Sequence, residues 1–307
     1  MKSDITEREY GVIELLSLAW QLFKENFMIF LPILLLIYLP LNVVHSFVVS
    51  FVIPLITSDT LQAIRLSGNV WSTLELFFGV VAVMAMAIVL DRKMEGKEIS
   101  WKDALVESLR KWFALLATNI LTGIALLLLT LAFIIPGILY YVYWYFLVYV
   151  VATRGKWGWD AWSYSEALVK KRWWKTFGWI FLVGILGVLA AIPFLIADVG
   201  VNLVLVLVLG KTMISDAVAS GFSILISTAT SVVLAYFTVV TFLLFYNYDK
   251  VRRFKEAPKQ VVASKADVEP VKQQPPVAPL AKPPAAVVKP VAKVVPKAPV
   301  KKPAKKK

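Results

Sequence analysis

The sequence predicts an all-α fold: a polytopic membrane helical bundle of six transmembrane helices, with interfacial amphipathic helices and a disordered basic C-terminal tail. Three observations predict it. Of 307 residues, 59% are hydrophobic and only 17% charged, and mean hydropathy is +0.73; a soluble domain is about 45–50% apolar and about 25% charged. Six apolar runs approach the roughly 20 residues needed to cross about 30 Å of hydrocarbon. Basic residues crowd alternate loops, as the positive-inside bias requires.

The elements follow in order. The first ten residues carry Asp4, Glu7 and Glu9 and no apolar run, unlike a cleavable signal peptide, so the first span is expected to remain as an anchor. A short amphipathic helix is expected over 12–27, with Ile13, Leu16, Trp20 and Phe23 on one face. The spans are expected at 28–53, 74–90, 113–135, 138–152, 177–197 and 222–246. Pro136-Gly137 separates the third from the fourth and predicts a tight hairpin turn there. A second interfacial helix is expected over 100–112, opened by Ser100 and Asp103 at capping-box spacing, and a third over 159–174. These two share Asp103-Ala-Leu-Val106 and Glu166-Ala-Leu-Val169, each followed by basic residues and Trp, so a threefold repeat of interfacial helix plus hairpin is one reading. The apolar segment 199–210 is too short to span; continuation of the fifth helix, a surface-lying piece and a re-entrant dip are the alternatives, and a surface-lying or partly inserted piece is expected.

Orientation follows from the loops. Loops 91–112 and 154–176 hold twelve Lys and Arg, whereas 54–73 and 198–221 hold Arg65 and Lys211 alone. Both termini are therefore expected in the cytoplasm of a plasma (inner) membrane protein. The domains expected are a membrane domain, 1–255, and a tail, 256–307. From residue 257 onward the tail holds 11 Pro, 12 Lys and no aromatic residue, a composition that cannot bury enough apolar surface to fold.

Several chemistries are excluded. The chain has no Cys and one His, which removes disulfides, thiolate metal sites and multi-histidine centres. Phosphate-binding glycine loops, zinc-protease and nucleophile-elbow motifs are missing, so no catalytic residue, cofactor or metal is assigned and the chain is expected not to be an enzyme. Polar residues in spans are costly and mark candidate sites. Asn42, His45, Glu75, Asp198 and Asn202 fall at similar depth and would form an outer polar cluster, with a His45–Glu75 pair as its simplest proton-responsive element. Tyr141, Tyr145 and Tyr149 fall at i, i+4 and i+8 and would present one aromatic face to an interior path.

Two basic groups point to polyanions. Lys170, Lys171, Arg172 and Lys175 beside Trp173 and Trp174 would meet anionic lipid. The tail lysines Lys289, Lys293, Lys297, Lys301, Lys302, Lys305, Lys306 and Lys307 would tether a polyanion, namely the cytoplasmic leaflet, ribosomal RNA or DNA.

Ile135-Pro-Gly-Ile-Leu139 before an aromatic helix, then Glu166-Ala-Leu and Arg172-Trp-Trp-Lys175-Thr-Phe-Gly178, together with the amphipathic Leu15–Asn26, carry a resemblance. Over residues 10–250 the sequence resembles a broad family of bacterial and archaeal six-helix membrane proteins. That family includes the membrane domain attached to some glycerophosphodiester phosphodiesterases and the inner-membrane protein YciC. The resemblance implies the six-helix topology and no catalysis, since the phosphodiesterase activity of the fused proteins lies in a separate soluble domain. Two functions fit: a non-enzymatic scaffold or lipid-interacting protein, or a transporter or channel using the outer polar cluster. Convergence of that cluster on one cavity favours the second.

Overall fold

The structure is a computed structural model that describes residues 10–210 and 212–266, with side chains to Arg253. The chain divides into two units, Met1–Val261 and Val262–Lys307, and the bundle described below belongs to the first. Most of the described residues are helical, with no strand among them. The helices are α1 (Val12–Glu25), α2 (Phe27–Phe47), α3 (Ile53–Ile56), α4 (Thr60–Leu74), α5 (Val80–Met94), α6 (Trp101–Ala132), α7 (Ile134–Tyr143), α8 (Leu147–Arg154), α9 (Gly158–Val169), α10 (Trp173–Leu209) and α11 (Met213–Ala266). Two π-helical turns, Val48–Val52 and Glu75–Gly79, join α2 to α3 and α4 to α5.

Six helical segments are long and apolar enough to cross a membrane: Phe27–Ile56, Thr60–Met94, Trp101–Ala132, Ile134–Arg154, Trp173–Leu209 and Met213–Arg253. The protein is an all-α, multi-pass membrane bundle. Only helices satisfy every backbone group within a segment, so apolar runs of this length leave no other local solution in lipid.

The boundaries differ from the expected ones in instructive ways. Residues 199–209 continue α10, which runs unbroken through 37 residues and ends at Gly210; each residue added to a helix already nucleated gains one hydrogen bond. The second interfacial helix does not stand apart either. Ser100 caps α6 by accepting from the Asp103 amide at 3.1 Å, and the helix then continues without a break to Ala132. Nothing between Trp101 and Ala132 is Pro, so no residue forces a turn. Hence α1 and α9 are separate interfacial-type helices, whereas the middle one is fused to its span.

The hairpin between the third and fourth spans turns at Phe133, whose backbone is extended (φ −158°, ψ 130°). Pro136-Gly137 lies beyond the turn, in the first turn of α7, where a missing N–H costs nothing. Gly137 has a packing role: a Cβ there would collide with the Thr130 hydroxyl and sit 3.2 Å from the Thr130 Cα. The fourth span itself is interrupted at residues 144–146, between α7 and α8.

The buried face of α1 is Leu15, Ala19, Leu22 and Phe23. Of the four residues expected to share a face, Ile13 points outward and Trp20, half-exposed, lies edge-on against Tyr236 of α11. The helix has apolar residues on two sides, as a helix wedged between a protein body and lipid requires. Its inner side docks on α11, where the Tyr236 hydroxyl donates to the Leu16 carbonyl at 2.9 Å.

At the centre lies α5, buried from Val80 to Asp91 save the half-buried Val83. Ala82, Ala85 and Ala87 are fully buried, and small residues let neighbouring helix backbones approach closely. The core gathers α5, α8 and the stretch of α11 from Val239 to Tyr248. This is the end of the bundle that carries the basic loops. Towards the opposite end the packing loosens: α10 buries only Thr176 and Trp179, both in its first turns. Density at one end and looseness at the other place the cavities.

Candidate functional site

The basic end is closed by a charge network. Arg154, the last residue of α8, donates from Nη1 to both oxygens of Asp91 at 3.1 Å. Its Nη2 donates to Asp249 Oδ2 at 2.8 Å and its Nε to the same oxygen at 3.1 Å. The Asp249 side chain is 0% exposed and that of Arg154 9%. Arg253 joins Asp249 at 3.1 Å, and the Tyr164 hydroxyl donates to Asp249 Oδ1. Burial, with that carboxylate beside it, raises the Tyr164 phenol above its ordinary value, so the hydroxyl remains a donor. Two acids and two guanidinium groups thus tie α5, α8, α9 and α11 together. Sequence reasoning missed this network. Its signal was present: Asp91, Arg154 and Asp249 lie at or next to the end of an apolar run, all on the same side of the membrane.

The opposite end holds the larger cavity, about 830 Å³, between α2, α10 and α11. Asn42, His45, Asp198 and Asn202 all line it, joined by Asp216, Ser46, Ser220, Ser223 and Ser227. Four of the five predicted cluster residues therefore converge. Asp198 and Asn202 sit one turn apart on α10, and Ser223 on α11 donates to Asp198 Oδ1 at 2.6 Å. Asn42 is buried and donates to its own helix at the Tyr38 carbonyl, 2.8 Å, and to the Thr228 hydroxyl, 3.2 Å. Val49, Ser50 and Phe51 of the first π-helical turn form part of the wall. The charged groups among the described lining residues are acidic, Asp198 and Asp216. Lys211 lies outside the described residues.

Glu75 is the exception. It does not pair with His45, because the two sit on different neighbours: the His45 ring meets Ser67 at 3.2 Å and packs edge-on against Trp71. Glu75 also does not open its helix; α4, the π-helical turn and α5 run together from Thr60 to Met94, and Glu75 lies well inside that span. Its Oε1 accepts from the Tyr38 hydroxyl at 2.9 Å. It lines a second, smaller cavity of about 240 Å³ with Tyr38, Trp71 and residues of α5 and α11.

The tyrosine face crosses the interruption at 144–146 and grades from exposed to buried. Tyr141 ends 51% exposed on the outside of the bundle, against an apolar groove. Tyr149 is buried, its hydroxyl donating to the Thr238 carbonyl at 3.3 Å. Tyr145 is half-buried between them, and its hydroxyl and that of Tyr149 both meet Thr241 of α11. Among the four interfacial basic residues, Lys170, Lys171 and Lys175 stay exposed. Arg172 instead turns inward: its guanidinium sits 4.8 Å from the Tyr248 ring centroid and donates to the Leu168 carbonyl, so it packs the bundle. The tail lysines from Lys289 to Lys307 lie outside the described residues.

Compared with protein-family models, with curated proteins and with solved structures, the chain matches none.

Proposed function

We propose that the chain is a non-enzymatic plasma-membrane protein, with both termini in the cytoplasm, that binds and passes a small organic cation through its outer-half cavity. One observation carries this: Asn42, His45, Asp198 and Asn202, far apart in sequence, line a single cavity of about 830 Å³, within the ~300–1,000 Å³ usual for ligand pockets. Asp198 and Asp216 give it a negative lining, and serine hydroxyls supply hydrogen bonds that fix orientation. The π-helical turn in its wall supports the reading, since such turns recur at functional sites. The two-against-twelve loop charge count supports the orientation that puts this cavity outside. The sequence's resemblance to a six-helix membrane family supports the same topology.

A thermal-unfolding series on the purified full-length protein tests it. Choline, putrescine and arginine amide are compared with gluconate and sulfate at equal ionic strength. At least one cation should stabilise the protein in a saturating manner, approaching about 2.7 kcal/mol at a hundredfold excess over its Kd. The effect should vanish in Asp198→Asn/Asp216→Asn. Stabilisation by no cation, or by a cation equally in the double variant, contradicts the proposal.

A second reading concerns the cytoplasmic face and does not compete with the first. Trp159 and Trp174 are 75% and 78% exposed and flank the exposed Lys170 and Lys171, the arrangement that suits anionic headgroups. The tail lysines would extend the same attraction to the leaflet, RNA or DNA. Each cation near an anionic surface contributes about 1 kcal/mol. Lys170→Gln/Lys171→Gln should therefore lower the anionic lipid that co-purifies, whereas Arg172→Gln should lower stability instead. A tail peptide should bind anionic vesicles or nucleic acid at low salt and release them by ~200 mM. Unchanged lipid content and a peptide inert at low salt would remove this reading.

A further inference from the structure

The smaller cavity has no part in the outer-cavity reading, yet Glu75 is built into it by four separate features. The Tyr38 hydroxyl holds Oε1 at 2.9 Å. The π-helical turn Glu75–Gly79 reshapes the helix at that point, and its Phe77 carbonyl is taken by the Trp112 indole N–H of α6 at 2.6 Å. Gly79 makes room for the carboxyl group, since a Cβ there would lie 2.5 Å from Glu75 Cδ. The remaining oxygen, Oε2, is buried and has no hydrogen-bond partner among the described residues. A carboxylate retained merely to bind helices together would engage both oxygens, because an unpartnered buried polar atom is costly.

No fixed cation among the described lining residues balances it. Among the described lining residues, α2 presents Tyr38, the only other titratable group; α5 presents Ala82, Val83 and Met86, and α11 presents Ser231, Ala235 and Thr238. His45, the nearest titratable group beyond the cavity on α2, is held on Ser67 behind the Trp71 ring. A charge in hydrocarbon without a fixed counter-charge marks a site of exchange. A cavity of about 240 Å³ has room for several waters at ~30 Å³ each.

We infer that Glu75 is a proton-binding site inside the membrane, its Oε2 taking up and releasing a proton through the smaller cavity while Tyr38 holds Oε1. Hydronium in the cavity gives its proton to Oε2, forming the neutral acid and water, and release is the reverse. The inference needs only that the second span crosses the membrane, so it stands or falls separately from the cation reading of the larger cavity.

The experiment is carbodiimide mapping on the full-length protein in neutral-lipid nanodiscs. Dicyclohexylcarbodiimide, an apolar reagent, modifies carboxyl groups in their protonated form, and peptide mass spectrometry locates the adduct. Glu75 should be modified, with the modified fraction falling about tenfold per pH unit beyond its midpoint. In Tyr38→Phe the carboxylate loses its one hydrogen bond, so labelling should persist to more alkaline pH. A water-soluble carbodiimide should modify Glu98, whose side chain is 86% exposed, and leave Glu75 untouched. No Glu75 adduct at any pH while Glu98 reacts, or an adduct indifferent to pH, overturns the inference.

Discussion

Arg154→Ala should lower the stability of the folded bundle by about 3–5 kcal/mol, the usual cost of removing one partner from a buried charge pair. The loss exceeds that of a surface ion pair, about 0–1 kcal/mol, because the Arg154 side chain is only 9% exposed and spans two carboxylates at 2.8–3.1 Å. The variant leaves Asp91 and Asp249 facing each other, with Arg253 the one cation among the described residues still bonded to either. The sign of the pH effect follows. Without Arg154 the orphaned carboxylates are costly when ionised, and protonation relieves that cost. The deficit of Arg154→Ala relative to wild type should therefore shrink as pH falls. Arg154→Met should fare no better than Ala, since the acids remain unpartnered, whereas Arg154→Met/Asp91→Leu/Asp249→Leu should recover much of the loss. Reversible unfolding in mixed micelles reads all four proteins. A deficit below 1 kcal/mol for Arg154→Ala would show that the network does not hold this end of the bundle.

Gly137→Ala should cost about 1–3 kcal/mol, the range for forcing a methyl into a closed contact. The added Cβ meets the Thr130 side chain and, at 3.2 Å, its Cα, so a rotamer change alone does not relieve the clash and α6 must part from α7. Thr130→Ala should recover part of the loss by removing the hydroxyl, leaving the backbone contact. The double-mutant cycle should therefore show a coupling of the sign that marks relieved overpacking. Additive losses would mean that the two helices are not in contact at this point.

The two effects also show what was legible in the amino-acid sequence. The six spans were, because length and apolarity are local properties, and so was the Ser100 cap, a three-residue relation. Convergence of Asn42, His45, Asp198 and Asn202 followed from equal depth. The partner of Glu75 did not: Tyr38 is 37 positions away, within the first span, and no local spacing links the two. The π-helical turns carry no signature in composition, and without them Glu75 appears to open a helix that in fact began at Thr60. The Tyr141–Tyr145–Tyr149 periodicity presumes an unbroken helix; the interruption at 144–146, with neither Pro nor Gly to announce it, leaves the three at unequal exposure, from exposed Tyr141 to buried Tyr149. Arg172 likewise reads as one of four interfacial cations until Tyr248 is seen beneath it.

In the proposed account, a loose outer half admits a cation, a protonatable acid sits deeper in the membrane, and a charge-locked cytoplasmic end closes the bundle. Its central claim is that the larger cavity opens outward and prefers positive charge. The natural absence of cysteine allows a direct measurement. Ser220 and Ser46 line the cavity and are half-buried, so Ser220→Cys or Ser46→Cys introduces a single thiol there. Intact cells are treated with membrane-impermeant methanethiosulfonates, one cationic and one anionic, and modification rates are compared with those of exposed Ser58→Cys. The account predicts that both cavity thiols react from outside and favour the cationic reagent at least several-fold over the Ser58→Cys ratio. It also predicts that Asp198→Asn/Asp216→Asn abolishes the preference and that Glu98→Cys reacts only after permeabilisation. Cavity thiols that stay unreactive in intact cells, or that react without regard to reagent charge, would contradict it.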